Sequence, residues 1–164
     1  MSEAEKGRII VIDDDDGIRK VVATALEGEG YRVETASSGK QAIEKSQSSF
    51  YNLALVDVRL PDMEGTKLLT AMKDTTPEMR KVILTGYPGL QNAIDAVNKG
   101  AHAYLVKPVD MDELLRTVED QLKTQREMKE YGQEKVAQYV ETRFQELQTQ
   151  EPQARTNDRE TNRP

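Results

Sequence analysis

The sequence predicts an α/β domain, a doubly wound parallel sheet of five strands alternating with five helices, with a C-terminal helical extension. Three observations carry this. Short β-branched apolar runs recur five times, stretches with helical apolar spacing separate them, and acidic, hydroxyl and lysine residues stand at the C-terminal ends of the runs. Such alternation requires crossover connections, hence parallel strands with helices on both faces.

The first strand is Arg8–Ile12, and Asp13 to Asp16 follow it. Ile18, Val21, Val22, Ala25 and Leu26 have the 3, 1, 3, 1 spacing of one helix face, and Gly28 and Gly30 close that segment. A second strand is expected at Tyr31–Thr35, with Gly39 at the next boundary. The third, Leu53–Val58, is almost continuously apolar, as are the first and fourth; strands buried on both faces read this way. Pro61 and Gly65 mark a turn before the helical positions Leu68, Leu69 and Met72. The fourth strand, Lys81–Thr85, is followed by Pro88 and Gly89, then by a helix whose apolar face is read at Ile94 and Val97. After Gly100 come the fifth strand, Ala103–Val106, and Pro108. The last helix starts after Asp110, with Asp112 and Glu113 in its first turn, and continues through Leu114, Leu115, Val118 and Leu122. The domain is bounded at residues 8–123, behind a flexible segment 1–7.

Composition narrows the function. Among 164 residues, 37% are hydrophobic and 32% charged, enough for a modest core under a charged surface. The absence of cysteine excludes disulfides, thiolate catalysis and thiolate metal sites. The first residues are polar, without the apolar stretch of a signal peptide, and no apolar run is long enough to span a bilayer. A soluble, cytoplasmic protein with no membrane contact is expected. Net charge is −6, from 23 Lys and Arg against 29 Asp and Glu, with no basic patch. Direct nucleic-acid contact is not expected; binding of a cation is.

In doubly wound sheets, ligands bind outside the carboxyl ends of the strands, where strand order reverses. Asp13–Asp16, Asp57, Thr85 and Lys107 all fall at such ends. Singly, each has an ordinary reading. The acidic run equally suits a cap and turn, Thr85 a strand residue, Lys107 a surface charge, and Tyr104 a half-buried strand aromatic. Their coincidence on one rim decides for a site. Clustered carboxylates repel, and a hard cation such as magnesium, which takes oxygen ligands beside a phosphate, relieves that cost.

Four strings in order carry a resemblance: Ile9 to Asp15, Leu55 to Gly65, Val82 to Gly86 and Gly100 to Pro108. Together they resemble the receiver domain of bacterial-type two-component response regulators. The resemblance covers roughly residues 8–123 and implies a flavodoxin-like sheet, order 2-1-3-4-5. It implies that Asp57 is the phosphoacceptor for a phosphohistidine on a sensor histidine kinase or phosphotransfer protein. It implies Mg2+, with Mn2+ an acceptable substitute, held by Asp14, Asp57 and the backbone carbonyl of Arg59, with Asp13 acting through water. Lys107 would pair with the phosphoryl group, Thr85 would hydrogen-bond it, and Tyr104 would rotate with the switch. The Lys107–Pro108 peptide would be cis. Arg59 and Tyr87 resemble positions that tune acyl-phosphate lifetime. Asp62 reads as a turn residue, and His102 as a surface loop residue.

The implied protein is a signalling phosphoacceptor, catalysing only its own phosphorylation and dephosphorylation. Its output would leave through the fourth helix, fifth strand and fifth helix, where phosphorylation would favour a homodimer; no downstream partner is named. An interaction module that has lost phosphorylation fits less well, because Asp57, the acidic pair, Thr85 and Lys107 are all present. Two other folds fit less well too. A haloacid-dehalogenase-type phosphatase would carry its nucleophile after the first strand and add a cap domain. A dinucleotide-binding fold would need a Gly-rich loop after the first strand, and there is none.

Beyond the domain, residues 124–150 read as an extended helix or helix pair. Val136, Val140, Phe144 and Leu147 lie on one stripe, and Gly132 interrupts any heptad pattern. Residues 151–164 lack aliphatic anchors and are expected to be disordered. Nothing after Lys123 resembles a helix-turn-helix output domain.

Overall fold

The computed structural model describes residues 6–76, 78–86 and 89–161. It divides into two compact units, Met1–Gln125 and Arg126–Pro164. The first holds β1 (Arg8–Ile12), α1 (Asp16–Gly28), β2 (Arg32–Ala36), α2 (Gly39–Ser48), β3 (Leu53–Asp57), α3 (Gly65–Thr75), β4 (Arg80–Thr85), α4 (Leu90–Asn98), β5 (Ala103–Val106) and the start of α5 (Met111–Thr161). All strand pairs are parallel, in the order β2-β1-β3-β4-β5. The order reverses between β1 and β3, so a crevice opens at their carboxyl ends.

The two-residue period of the strands divides the core. Ile10, Ile12, Ala54, Val56 and Ile83 face Ala42 of α2, Leu68, Leu69 and Met72 of α3 and Ala96 of α4. Ile9, Val11, Leu53, Leu55, Val82 and Leu84 face Val22 and Leu26 of α1 and Leu114, Val118 and Leu122 of α5. Burying both faces of the central strands explains why their sequences are unbroken apolar runs.

Two helix faces differ from the periodicity reading. Val21 is 59% exposed, and α1 packs instead through Val22, Ala23 and Leu26. In α4, Ile94 and Val97 are exposed, and among the described side chains it is the small Ala96 that is buried. Two apolar residues three apart on a nine-residue helix mark a stripe. They do not say whether the sheet lies under it.

Local chemistry sets the helix starts. The Asp15 carboxylate accepts from the Ile18 N–H at 3.0 Å, capping α1, and Ser38 Oγ accepts from the Gln41 N–H at 3.1 Å, capping α2. Gly7, with φ of +144°, turns the chain into β1, and a Cβ there would lie 3.4 Å from Leu122 Cδ1.

His102 is an exposed loop residue before β5, as its sequence position suggests, and its ring also serves the backbone. Its ring Nδ1 accepts the Lys81 main-chain N–H at 3.0 Å, and the His102 main-chain N–H donates to the Lys81 carbonyl at 2.7 Å. Lys81 itself is buried, its Nζ donating to the carbonyls of Thr76 (3.2 Å) and Met79 (3.0 Å). Partial burial, then the Arg80 and Lys81 charges, lower the His102 imidazole from 6.5 to about 4. The unfolded chain therefore takes up this proton near pH 6.5 and the folded chain only near pH 4. Stability from this source is present above the unfolded value and is lost as pH falls between the two. We expect the ring to titrate near pH 4 by NMR, and His102→Gln to flatten the stability profile between pH 4 and 6.5. A midpoint near 6.5 would refute this.

In the second unit α5 is unbroken through Gly132. Val136, Val140, Phe144 and Leu147 are all at least half exposed, and Arg143 pairs with Glu146 at 3.0 Å. At residues 151–164, expected to be disordered, the backbone is helical as far as Thr161, and residues 162–164 lie outside the described residues. Glu, Gln and Arg, frequent there, favour helix.

Candidate functional site

Four of the five strands, β1, β3, β4 and β5, bring Asp13, Asp57, Thr85 and Lys107 to the crevice. Asp13 directly follows β1, its N–H donating to the Ala36 carbonyl at 3.1 Å, so it continues the β1–β2 ladder and is fully buried. Asp57 closes β3 and is 7% exposed. Thr85 closes β4, buried, and its carbonyl accepts the Lys107 N–H at 2.6 Å. That bond ties the end of β5 to the end of β4.

Side chains of Asp13, Asp57 and Lys107 meet there. Lys107 Nζ lies 3.0 Å from Asp13 Oδ2 and 3.3 Å from Asp57 Oδ2. Asp57 Oδ1 accepts the Arg59 N–H at 3.2 Å, which fixes the carboxylate plane. Asp14 is exposed, and Asp13, Asp14 and Asp57 each offer an oxygen within a 4.8 Å cluster. The Lys107–Pro108 peptide is cis.

Charge follows from geometry. Burial, then the negative charge of Asp13, raises the Asp57 pKa, outweighing the Arg59 N–H and Lys107. Burial alone would lower the Lys107 ammonium, but its contacts with Asp13 and Asp57 outweigh it and hold the ammonium above its ordinary value. Two carboxylates thus share one ammonium, leaving net negative charge in a cleft. Three hard oxygens of this kind suit Mg2+ and offer nothing to a soft metal.

Other expected residues lie further out. Arg59 forms an isolated antiparallel bridge with Glu64 in the β3–α3 loop. Tyr104, on β5, is half-buried and packs against the core side that includes Ile83 and Ala96. Tyr87 lies outside the described residues. Asp62, read from sequence as a turn residue, reaches α2: its carboxylate accepts the Gly39 and Lys40 N–H groups, each at 2.9 Å. Those bonds hold its pKa below the ordinary value. No local signal announces that contact, because its partners stand more than twenty residues earlier in the chain.

A family model for the response regulator receiver domain matches residues 9–119. The chain belongs to this family. It is 38% identical over 114 residues to the transcriptional regulatory protein ZraR of Escherichia coli, covering 70% of this chain and 26% of that one. The alginate biosynthesis transcriptional regulatory protein AlgB of Pseudomonas aeruginosa is 39% identical over 118 residues, 72% of this chain and 26% of its own. The chain thus spans about a quarter of the length of these curated relatives. Among solved structures, a CheY-like receiver domain protein from Methanospirillum hungatei superposes with a TM-score of 0.72 at 41% identity, covering 74% of this chain and 97% of that one. Receiver domains are signalling modules of two-component systems, and the Asp13, Asp14 and Asp57 pocket fits phosphorylation and magnesium. Among the described residues, no helix is long and apolar enough to cross a membrane.

Proposed function

We propose that this receiver domain accepts a phosphoryl group on Asp57 from the phosphohistidine of a sensor kinase or phosphotransfer protein, in a magnesium-dependent reaction. The observation that carries the reading is the Asp57 carboxylate at the end of β3, 3.3 Å from Lys107 and clustered with Asp13 and Asp14. An Asp57 oxygen attacks phosphorus in line; the O–P bond forms as the donor's N–P bond breaks, and the bonding pair stays on the imidazole nitrogen. Lys107 meets the negative charge on the transferred group. The Arg59 N–H holds the second carboxylate oxygen in place. Asp14 and Asp57, with the Arg59 carbonyl, would hold Mg2+ or Mn2+, and Asp13 would act through a water. When bound, the ion supplies charge neutralisation to the phosphoryl oxygens.

Two surfaces support the rest. A cavity of about 250 Å3 opens beside Lys107, lined chiefly by Ile18, Val21, Val22, Pro108, Val109 and Met111. It suits the apolar flank of a donor helix that brings its phosphohistidine to Asp57. On the other side, Ile94, Val97 and Val106 leave apolar side chains exposed on α4 and β5. Phosphorylation adds about −1.5 to −2 charge at Asp57. In this reading Thr85 then turns toward the new oxygens, Tyr104 follows it, and the α4–β5–α5 face passes the signal, through a homodimer or a downstream protein.

Magnesium binding tests the pocket. Acetyl phosphate should label the protein only when magnesium is present. Asp14→Ala removes a direct ligand, so the magnesium Kd by calorimetry should rise at least about tenfold. Asp62→Ala, which loosens the α2 start but leaves the pocket, should leave Kd within error. Equal effects would move the metal site elsewhere.

A further inference from the structure

Four consecutive aspartates, Asp13–Asp16, leave β1 and enter α1, and their mutual repulsion would splay that loop. One cation spans it. Arg19 Nη1 donates to the main-chain carbonyl of Asp13 at 2.6 Å, while Nη2 pairs with the Asp16 carboxylate. The arginine side chain is only 16% exposed, in contrast to 83% for Asp16, so its guanidinium lies along the loop. Two further bonds set the same turn. The Asp15 N–H donates to Asp13 Oδ1 at 3.0 Å, and the Arg19 N–H donates to the Asp15 carbonyl at 3.0 Å.

We propose that Arg19 is a positioning residue for the acidic pocket: its forked guanidinium fixes the main chain at Asp13, and through it the directions of the Asp13 and Asp14 carboxylates. The inference rests on the magnesium-dependent reading above. The fork matters because it bridges two acceptors of different kinds, a carbonyl at the strand end and a carboxylate in the first helical turn. A lysine ammonium keeps the charge but has no planar fork to hold both at once.

The sign of the effect separates positioning from charge. Arg19 is a cation near a cation site, so by Coulomb's law alone its removal should tighten magnesium binding. Loss of loop geometry acts the other way. We expect Arg19→Gln and Arg19→Lys both to raise the magnesium Kd, on the order of tenfold, as outer supporting groups do at other metal sites. Both should also speed hydrogen exchange at the Asp15 amide in magnesium-free protein, with the melting temperature little changed. Unchanged or tighter binding in Arg19→Gln, or wild-type affinity in Arg19→Lys, overturns the proposal. Should Arg19→Gln not fold, Arg19→Lys decides alone: weakened binding supports the fork and wild-type affinity refutes it. Wild-type protein that takes up no magnesium would strike the proposed function itself, whereas binding wild-type protein with unaffected variants strikes only this inference.

Discussion

Asp57→Asn is expected to abolish phosphoryl transfer to the chain while leaving the fold intact or more stable. The carboxamide has the shape of the carboxylate, and its oxygen can still accept the Arg59 N–H that now holds Oδ1 at 3.2 Å. What it lacks is an anionic oxygen for attack on phosphorus. Asp13 cannot substitute, because it is fully buried and paired to Lys107 at 3.0 Å. Stability should move the opposite way from activity. Burial and the Asp13 charge raise the Asp57 pKa, so the folded protein binds this proton more tightly than the unfolded chain does. Above the ordinary carboxylate range the ionised Asp57 therefore costs stability, and the neutral amide removes that cost. Magnesium-free melting of Asp57→Asn at neutral pH should match or exceed wild type, and added magnesium should raise the melting temperature less. Labelling of the variant by acetyl phosphate at wild-type yield would disprove the assignment.

Gly65→Ala should damage both fold and site. Gly65 opens α3 and donates its N–H to the Val58 carbonyl at 2.6 Å, which clamps the helix start onto the end of β3. A Cβ there would come within 2.9 Å of the Asp57 carbonyl carbon, and closer still to its oxygen. Both partners are backbone and cannot swing aside as a long side chain would. Overpacking of this kind costs about 1–3 kcal/mol, and relief must come by shifting α3 or the acceptor-bearing end of β3. We expect a clear fall in melting temperature together with a loss of acetyl phosphate labelling. Gly28 is the control: a Cβ there meets nothing within 4 Å, so Gly28→Ala should be neutral or stabilise by roughly 0.4–1 kcal/mol. Wild-type melting and full labelling in Gly65→Ala would show that the backbone accommodates the methyl group.

Fold class was legible because it depends on repeated, local patterns. Val11, Leu55 and Val82 sit in runs whose two faces are both apolar, and five such runs separated by helical spacing allow few topologies. Strand boundaries moved by a residue, as at Arg80 and Ala36, without altering what stands at the strand ends. For the same reason Asp13, Asp57, Thr85 and Lys107 could be named as rim residues: a parallel sheet sends every strand's carboxyl end to one side.

Other features were decided only by tertiary structure. Periodicity finds an apolar stripe but not its partner, so Val21, Ile94 and Val97 fall on apolar helix faces in the sequence and are exposed in the structure. Asp62 capping α2, His102 accepting from Lys81 and Arg19 reaching the Asp13 carbonyl each join a side chain to backbone that another element or turn puts in place. Gly65 looked like a turn residue, and its real constraint is the nearness of the Asp57 carbonyl. The amino-acid sequence by itself determined the element order, the parallel sheet and the side of it on which chemistry gathers, since these follow from residue type and spacing along the chain. Tertiary structure alone decided which helix faces stay bare and which groups hold the acidic loop, because those depend on distances between residues that no spacing along the chain encodes.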